Sequence, residues 1–128
     1  MRRTLFTICI VLVLVTLFSI AIAETLSDPV FEMAVVTLKA SKTASFSAIT
    51  FTNQSSIKVT AVELERYNGS SWESHAILQA PTDEATNTDL YGANKDYSGN
   101  ITSGKFRLKA TFYADGYTIT RYSNARTY

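Results

Sequence analysis

The chain has 128 residues, a length that suits one domain with a single hydrophobic core. Its 12 basic and 11 acidic side chains give a formal net charge of +1, so it lacks the concentrated charge of a protein that binds nucleic acid. The single cysteine, Cys9, excludes an internal disulfide and a zinc site made of cysteines.

The amino-terminal segment predicts a secretory signal peptide in helical form. Two arginines precede an uncharged run at residues 5–22, and the small side chains of Ala21 and Ala23 fit the narrow subsites of the signal peptidase. Cleavage is therefore expected after Ala23, which divides the chain into a signal peptide at 1–23 and one domain at 24–128. This division predicts a secreted, extracellular protein.

An uncleaved membrane anchor is the alternative to a signal peptide. The uncharged run falls near the lower end of the roughly 17 to 25 residues that a membrane-spanning helix needs. A lipoprotein signal is less favoured, because Cys9 lies inside the apolar run and bulky Ile8 precedes it. Cleavage removes Cys9 and two arginines, which leaves a formal charge of −1 and a domain held by packing, with no membrane contact expected.

Aromatic and β-branched side chains dominate the remaining chain and favour strands. In chain order, seven strands are predicted at 30–38, 43–52, 57–67, 71–79, 95–101, 105–114 and 117–124. Residues 80–94 form a polar stretch without a clear pattern. The number and spacing of the strands predict an all-β fold, an antiparallel β-sandwich of immunoglobulin-like type, with a small barrel as the alternative.

The second predicted strand carries an irregular apolar pattern. Ala44, Phe46 and Ala48 alternate with polar residues, and the apolar positions then shift to Ile49 and Phe51. A shift of one residue moves a strand's apolar set to its other face, so this pattern predicts a β-bulge near Ala48 and Ile49.

Two Asn-Gly or Asp-Gly pairs, at 68–69 and 115–116, predict type I′ hairpin turns. The strand after the first turn is expected to place Trp72, Ala76 and Leu78 on one face. The strand before the second turn alternates strongly. Its expected inward residues are Phe106, Leu108, Ala110, Phe112 and Ala114.

Motifs in the second half of the chain follow one another in a distinctive order. They are Leu90-Tyr91-Gly92, Lys95-x-Tyr97-Ser98-Gly99, Gly104-Lys105, Ala110-Thr111-Phe112-Tyr113-Ala114 and Thr120-Arg121-Tyr122. With these motifs, residues 57–128 resemble small secreted β-sandwich proteins of Gram-positive bacteria. The resemblance implies a bacterial source, a signal peptide and a β-sandwich. That family has no established activity, so the resemblance implies no mechanism.

Catalytic residues are sparse. His75 is the single histidine, so a Ser-His-acid arrangement would be built on it with Glu73, yet no nucleophile motif accompanies it. Glu63 and Glu65 share one strand face about 6.8 Å apart, but their open context predicts solvated charges rather than a glycosidase pair. We therefore predict no enzymatic activity and no cofactor, with a small secreted hydrolase as a distant alternative.

The polar stretch contains several oxygen-bearing side chains of the kind that bind calcium. Its acids and the one that follows it are Asp83, Glu84, Asp89 and Asp96. The spacing of an EF-hand is missing, so no metal site is predicted there.

Aromatic side chains supply the candidate binding surface. The residues are Trp72, Tyr91, Tyr97, Tyr113, Tyr117 and Tyr122. Exposed rings suit contact with an extracellular protein or, through stacking on sugar rings, with a glycan. We predict extracellular binding or a structural role at the cell surface, with a carbohydrate-binding module as the alternative.

Overall fold

The computed structural model describes residues 28–128, so the predicted signal helix and its cleavage site lie outside the described part. Within this part the chain forms nine strands and no helix, and hence no helix suited to crossing a membrane. The strands are β1 (Phe31–Leu38), β2 (Thr43–Gln54), β3 (Ile57–Tyr67), β4 (Trp72–Leu78), β5 (Glu84–Ala85), β6 (Thr88–Asp96), β7 (Lys105–Ala114), β8 (Tyr117–Tyr122) and β9 (Arg126–Thr127).

The described strands form two antiparallel sheets packed against each other, which confirms the predicted β-sandwich. The small sheet has the order β1-β2-β6. The large sheet has the order β4-β3-β7-β8, with β5 paired to β3 and β9 paired to β7. The buried residues of the main strands point between the sheets, so the core lies between the two inner faces. Register shifts in β1, β3 and β4 interrupt the alternation of inward and outward residues.

Strand β7 contributes the centre of the core. All five of its predicted inward residues are buried, and the outward ones are not. The Phe112 ring meets the Phe46 ring of the small sheet edge to face, with 6.4 Å between centroids. Aromatic contact across the sandwich therefore joins the two sheets.

The change of face predicted near Ala48 and Ile49 does not occur, although the register of β2 against β6 does shift between Ile49 and Gln54. Ala48 and Thr50 are both buried, so the alternation continues, and Phe51 is 59% exposed on the outer face. Thr50 replaces an apolar residue in the core because its hydroxyl donates a 2.8 Å hydrogen bond to the carbonyl of Thr52. Ile49 and Phe51 are thus apolar residues of a second, outward face.

A bulge in β4 separates residues that were expected to share a face. Leu64 pairs with Ala76, but Glu65 pairs with Ser74, which leaves His75 as the extra residue. Ala76 consequently points toward the core while Trp72, paired with Tyr67, points outward. The prediction of one common face for Trp72 and Ala76 is wrong for this reason.

The polar stretch contains β6, and the strand predicted at 95–101 is displaced. Tyr91 and Ala93 point into the core, but Gly92 and Asn94 on the outer face give little alternation in hydrophobicity. After β6 the chain turns, and the amide of Ile101 donates to the carbonyl of Tyr97 at 3.0 Å.

The two predicted hairpin turns differ. Asp115 and Gly116 both have positive φ, of 44° and 87°, which confirms a type I′ turn. Asn68 does not, and its side-chain oxygen accepts hydrogen bonds from the amides of Ser70 and Ser71, at 2.9 and 2.8 Å. That connection is a longer Asn-stabilised loop, so its type I′ prediction is wrong.

Candidate binding site

A row of stacked side chains crosses the outer face of the large sheet. We call Tyr67, Trp72, Arg107 and Tyr122 the stacked row. The Arg107 guanidinium carbon lies 4.5 Å from the centroid of the Trp72 ring and 4.3 Å from that of the Tyr122 ring. The Tyr67 and Trp72 rings are 5.3 Å apart and tilted by 51°. The guanidinium is therefore placed between two rings.

Strand register explains why these residues meet. Glu65 pairs directly with Arg107, and Arg107 Nε donates a 2.8 Å hydrogen bond to Glu65 Oε1. Tyr67 pairs with Trp72 on the other side of β3. Because directly paired residues point to the same side of a sheet, each of them reaches the outer face. The bulge in β4 adds Trp72 to this set.

The face around the stacked row carries charges of both signs with a small basic excess. Its outward positions on β3, β5 and β7 include four basic and three acidic side chains: Lys58, Lys105, Arg107, Lys109, Glu63, Glu65 and Glu84. The Lys105 ammonium lies 4.9 Å from the Tyr67 centroid, and the Lys58 ammonium lies 5.2 Å from that of Tyr113. This face is suited to an acidic partner.

Three of the predicted binding residues lie on this face. Trp72 and Tyr122 belong to the stacked row, and Tyr113 lies further along β7 beside Lys58. Tyr117 is exposed but pairs with the buried Ala114, so it occupies an inward register position at the end of its strand. The structure therefore brings only part of the predicted set together.

Tyr91 and Tyr97 are core residues, 5% and 1% exposed, so the expectation of exposed rings is wrong for both. Tyr97 donates a 2.7 Å hydrogen bond to the carbonyl of Gln79. The Tyr91 hydroxyl has no hydrogen-bond partner among residues 28–128. Burial, followed by the nearby Asp83 carboxylate, raises the pKa of Tyr91 to about 12, against a weaker opposing effect of the Val59 backbone.

The residues considered for catalysis or metal binding make other contacts in the described part of the chain. His75 lies edge to face with Phe106 at 5.4 Å, and in the described part of the chain it hydrogen-bonds to no serine or carboxylate. Residues 28–128 also hold no group of three His, Cys, Asp or Glu side chains that could share a metal ion. Glu84 instead accepts a hydrogen bond from Ser56, and Glu65 is engaged by Arg107.

Sequence reasoning missed a second surface, on the outer face of the small sheet. We call Met33, Val35, Ile49, Phe51 and Leu90 the apolar face. All but the partly exposed Ile49 are among the most exposed large hydrophobic residues. The signal for this surface lies in β2, where apolar residues occur on both faces, a pattern that also predicts a bulge.

Comparisons of the chain with protein-family models, with curated proteins and with solved structures find no match. The resemblance to small secreted proteins of Gram-positive bacteria therefore stays a prediction. The two outer faces of the sandwich are the features from which a function can be inferred.

Proposed function

We propose that this protein is a secreted, non-enzymatic binding module that recognises an extracellular partner through the stacked row. The observation that carries the proposal is the position of Arg107, which is held by Glu65 between the rings of Trp72 and Tyr122. Side chains fixed before binding lose little conformational entropy when a partner arrives. Trp, Tyr and Arg are also the residue types that contribute most strongly to protein interfaces.

A protein partner fits the row better than a glycan does. Sugars stack on open ring faces, whereas the guanidinium of Arg107 lies over the rings of both Trp72 and Tyr122. The surrounding basic side chains favour an acidic surface on the partner. Glycan binding remains the second candidate because the Tyr122 ring is half-exposed.

We also propose that the sandwich is of immunoglobulin-like type, and the strand order supports this. β1, β2 and β6 share one sheet while β3, β7 and β8 share the other, as strands A, B, E and C, F, G do in the immunoglobulin fold. β4 lies beside β3 instead of extending the first sheet. In such folds the sandwich is a support, and binding is determined by surface residues.

Secretion rests on the leader at 1–23 and is tested by the mass of the released protein. The whole chain is expressed in a Gram-positive bacterium, and the intact mass is measured in the medium and in the membrane fraction. We expect a species that begins at Glu24 in the medium. Full-length protein in the membrane fraction would instead support the anchor.

Binding is tested with a pair of arginine variants. Arg107→Met keeps an aliphatic stem over the rings but removes the guanidinium, and Arg121→Met removes an exposed guanidinium outside the stacked row. The native chain and both variants are used to capture proteins from the envelope of the producing bacterium, and a glycan array is probed in parallel. We expect captured protein to fall about tenfold with Arg107→Met and to be unchanged with Arg121→Met. Blank results in both assays with folded native protein would contradict the proposal.

A further inference from the structure

The outer face of the small sheet has an uncharged centre. Cross-strand pairing places nine outward residues in three rows, Met33–Ile49–Leu90, Val35–Ser47–Gly92 and Thr37–Ser45–Asn94. None of these nine positions carries an ionisable side chain. The outer face of a sandwich is normally polar, and an exposed apolar patch on it indicates an interaction surface.

This face is stepped in height. Its bulky side chains gather in the first row and at the adjacent Phe51. In the next two rows the small residues Ser45, Ser47 and Gly92 lie beside Val35 and Thr37 on β1 and Asn94 on β6. A Cβ atom placed on Gly92 would meet no other atom within 4 Å. The small residues therefore form a shallow hollow beside the bulky end.

We propose that the apolar face binds the same face of a second copy of this chain. A two-fold axis that lies in the plane of the contact, perpendicular to the strands, places the bulky end of each copy over the hollow of the other, so that one contact covers both patches. Because the three rows hold no ionisable side chain, identical faces meet without opposing like charges. A bilayer is a poorer occupant, since surface-bound segments combine apolar residues with Lys and Arg, which these rows lack.

The size of the face determines how strong this dimer is. With strands about 4.8 Å apart and alternate residues about 6.8 Å apart, the three rows cover about 300 Å² in projection. A standard stable interface buries about 800 Å² on each partner. The dimer is therefore weak and concentration-dependent. It leaves the stacked row on the opposite sheet free, so it does not depend on the proposed function.

A charge placed on either sheet provides the first test. Leu90→Lys adds a charge to the bulky end of the face. Ile77→Lys is the matched control, because Ile77 is 78% exposed, compared with 58% for Leu90, and lies on the outer face of the large sheet. Sedimentation velocity of the protein recovered from the medium, up to about 1 mM, measures association. We expect association of the native protein, an unchanged result with Ile77→Lys and about tenfold weaker association with Leu90→Lys.

A second variant fills the hollow without adding charge. Gly92 has no left-handed φ, so valine is compatible with its backbone and favours the strand. We expect Gly92→Val to keep the thermal unfolding midpoint and to abolish association. The proposal is overturned if the native chain stays monomeric at about 1 mM, if the two lysine variants weaken association equally, or if folded Gly92→Val associates like the native chain.

Discussion

The two outer faces of the sandwich use their side chains in opposite ways. On the large sheet, charged and aromatic side chains contact one another, as where Arg107 pairs with Glu65 and stacks on Trp72. On the small sheet, Met33 and Leu90 are exposed in rows without charge. The difference shows that the alternation of side chains along a strand determines which residues enter the core. It does not determine the chemistry of the outer face, which can differ between the two sheets.

Both outer faces exist only while the two sheets stay packed, and we expect alkaline pH to break that packing. Tyr91 has a folded pKa of about 12, above its ordinary value of 10.0, and burial raises the pKa of Tyr97 as well. Below pH 10 both residues are neutral in both states, so stability is retained. As the pH rises from 10 through 12, the unfolded chain releases these protons first, and the free energy of unfolding falls.

For Tyr91 alone the loss amounts to about 2 kcal/mol. Far-UV circular dichroism and tyrosinate absorbance, followed together against pH, measure it. We expect unfolding and the last tyrosinate signals to appear in the same interval above pH 10. Complete ionisation of all tyrosines in a chain that keeps its native spectrum would contradict the burial of these two.

The two buried tyrosines should respond differently to removal of the hydroxyl. Tyr97→Phe leaves the Gln79 carbonyl without its donor, which is expected to cost about 1 to 2 kcal/mol. Tyr91→Phe removes a hydroxyl that has no partner within residues 28–128, so stability is expected to stay equal or to rise slightly. Urea unfolding at neutral pH measures both. Equal losses in the two variants would show that the Gln79 hydrogen bond makes no special contribution.

Sequence alone predicted the parts of the fold in which one face is apolar and the other polar. β3 and β7 have the predicted bounds, and every inward residue of β7 is correct. β6 was missed because small and polar residues on its outer face, such as Gly92 and Asn94, weaken the alternation. In β2 the outer residues Ile49 and Phe51 are themselves apolar, so the pattern predicts a change of face near Ala48, whereas the register against β6 shifts only beyond Ile49.

The candidate site was less predictable than the fold, because it depends on register. Residue type identifies Trp72 and Tyr122, but their contact with Arg107 requires the β4 bulge and the pairing of four neighbouring strands. Tyr91 and Tyr97 have the same chemistry as the exposed tyrosines. The position of β6 determines which tyrosines are buried. The prediction from sequence places that strand at 95–101, too far along the chain.

Replacing one side chain on each face with a smaller one tests how much each face contributes to the free energy of unfolding. Arg107→Ala removes the ion pair with Glu65 and the stacking on both rings, and is expected to cost about 1 kcal/mol. Leu90→Thr removes an exposed apolar side chain and is expected to change stability by less than about 0.5 kcal/mol. Urea unfolding at low protein concentration, where association is negligible, measures both. An equal cost on the two faces would mean that the stacked row contributes no more than ordinary surface residues.

Salt is expected to affect binding through the two faces differently, even without substitutions. Capture of a partner through the stacked row depends on exposed charges, so raising the salt concentration from about 0.05 to about 0.5 M should weaken it several-fold. Association through the apolar face involves no charge in its three rows and should be unchanged, or slightly stronger with sulfate as the anion. Pull-down from the envelope and sedimentation velocity measure the two effects on the same preparation. If salt weakened partner capture and self-association to the same degree, charge would contribute equally to the two contacts. That result would contradict an uncharged contact through the apolar face.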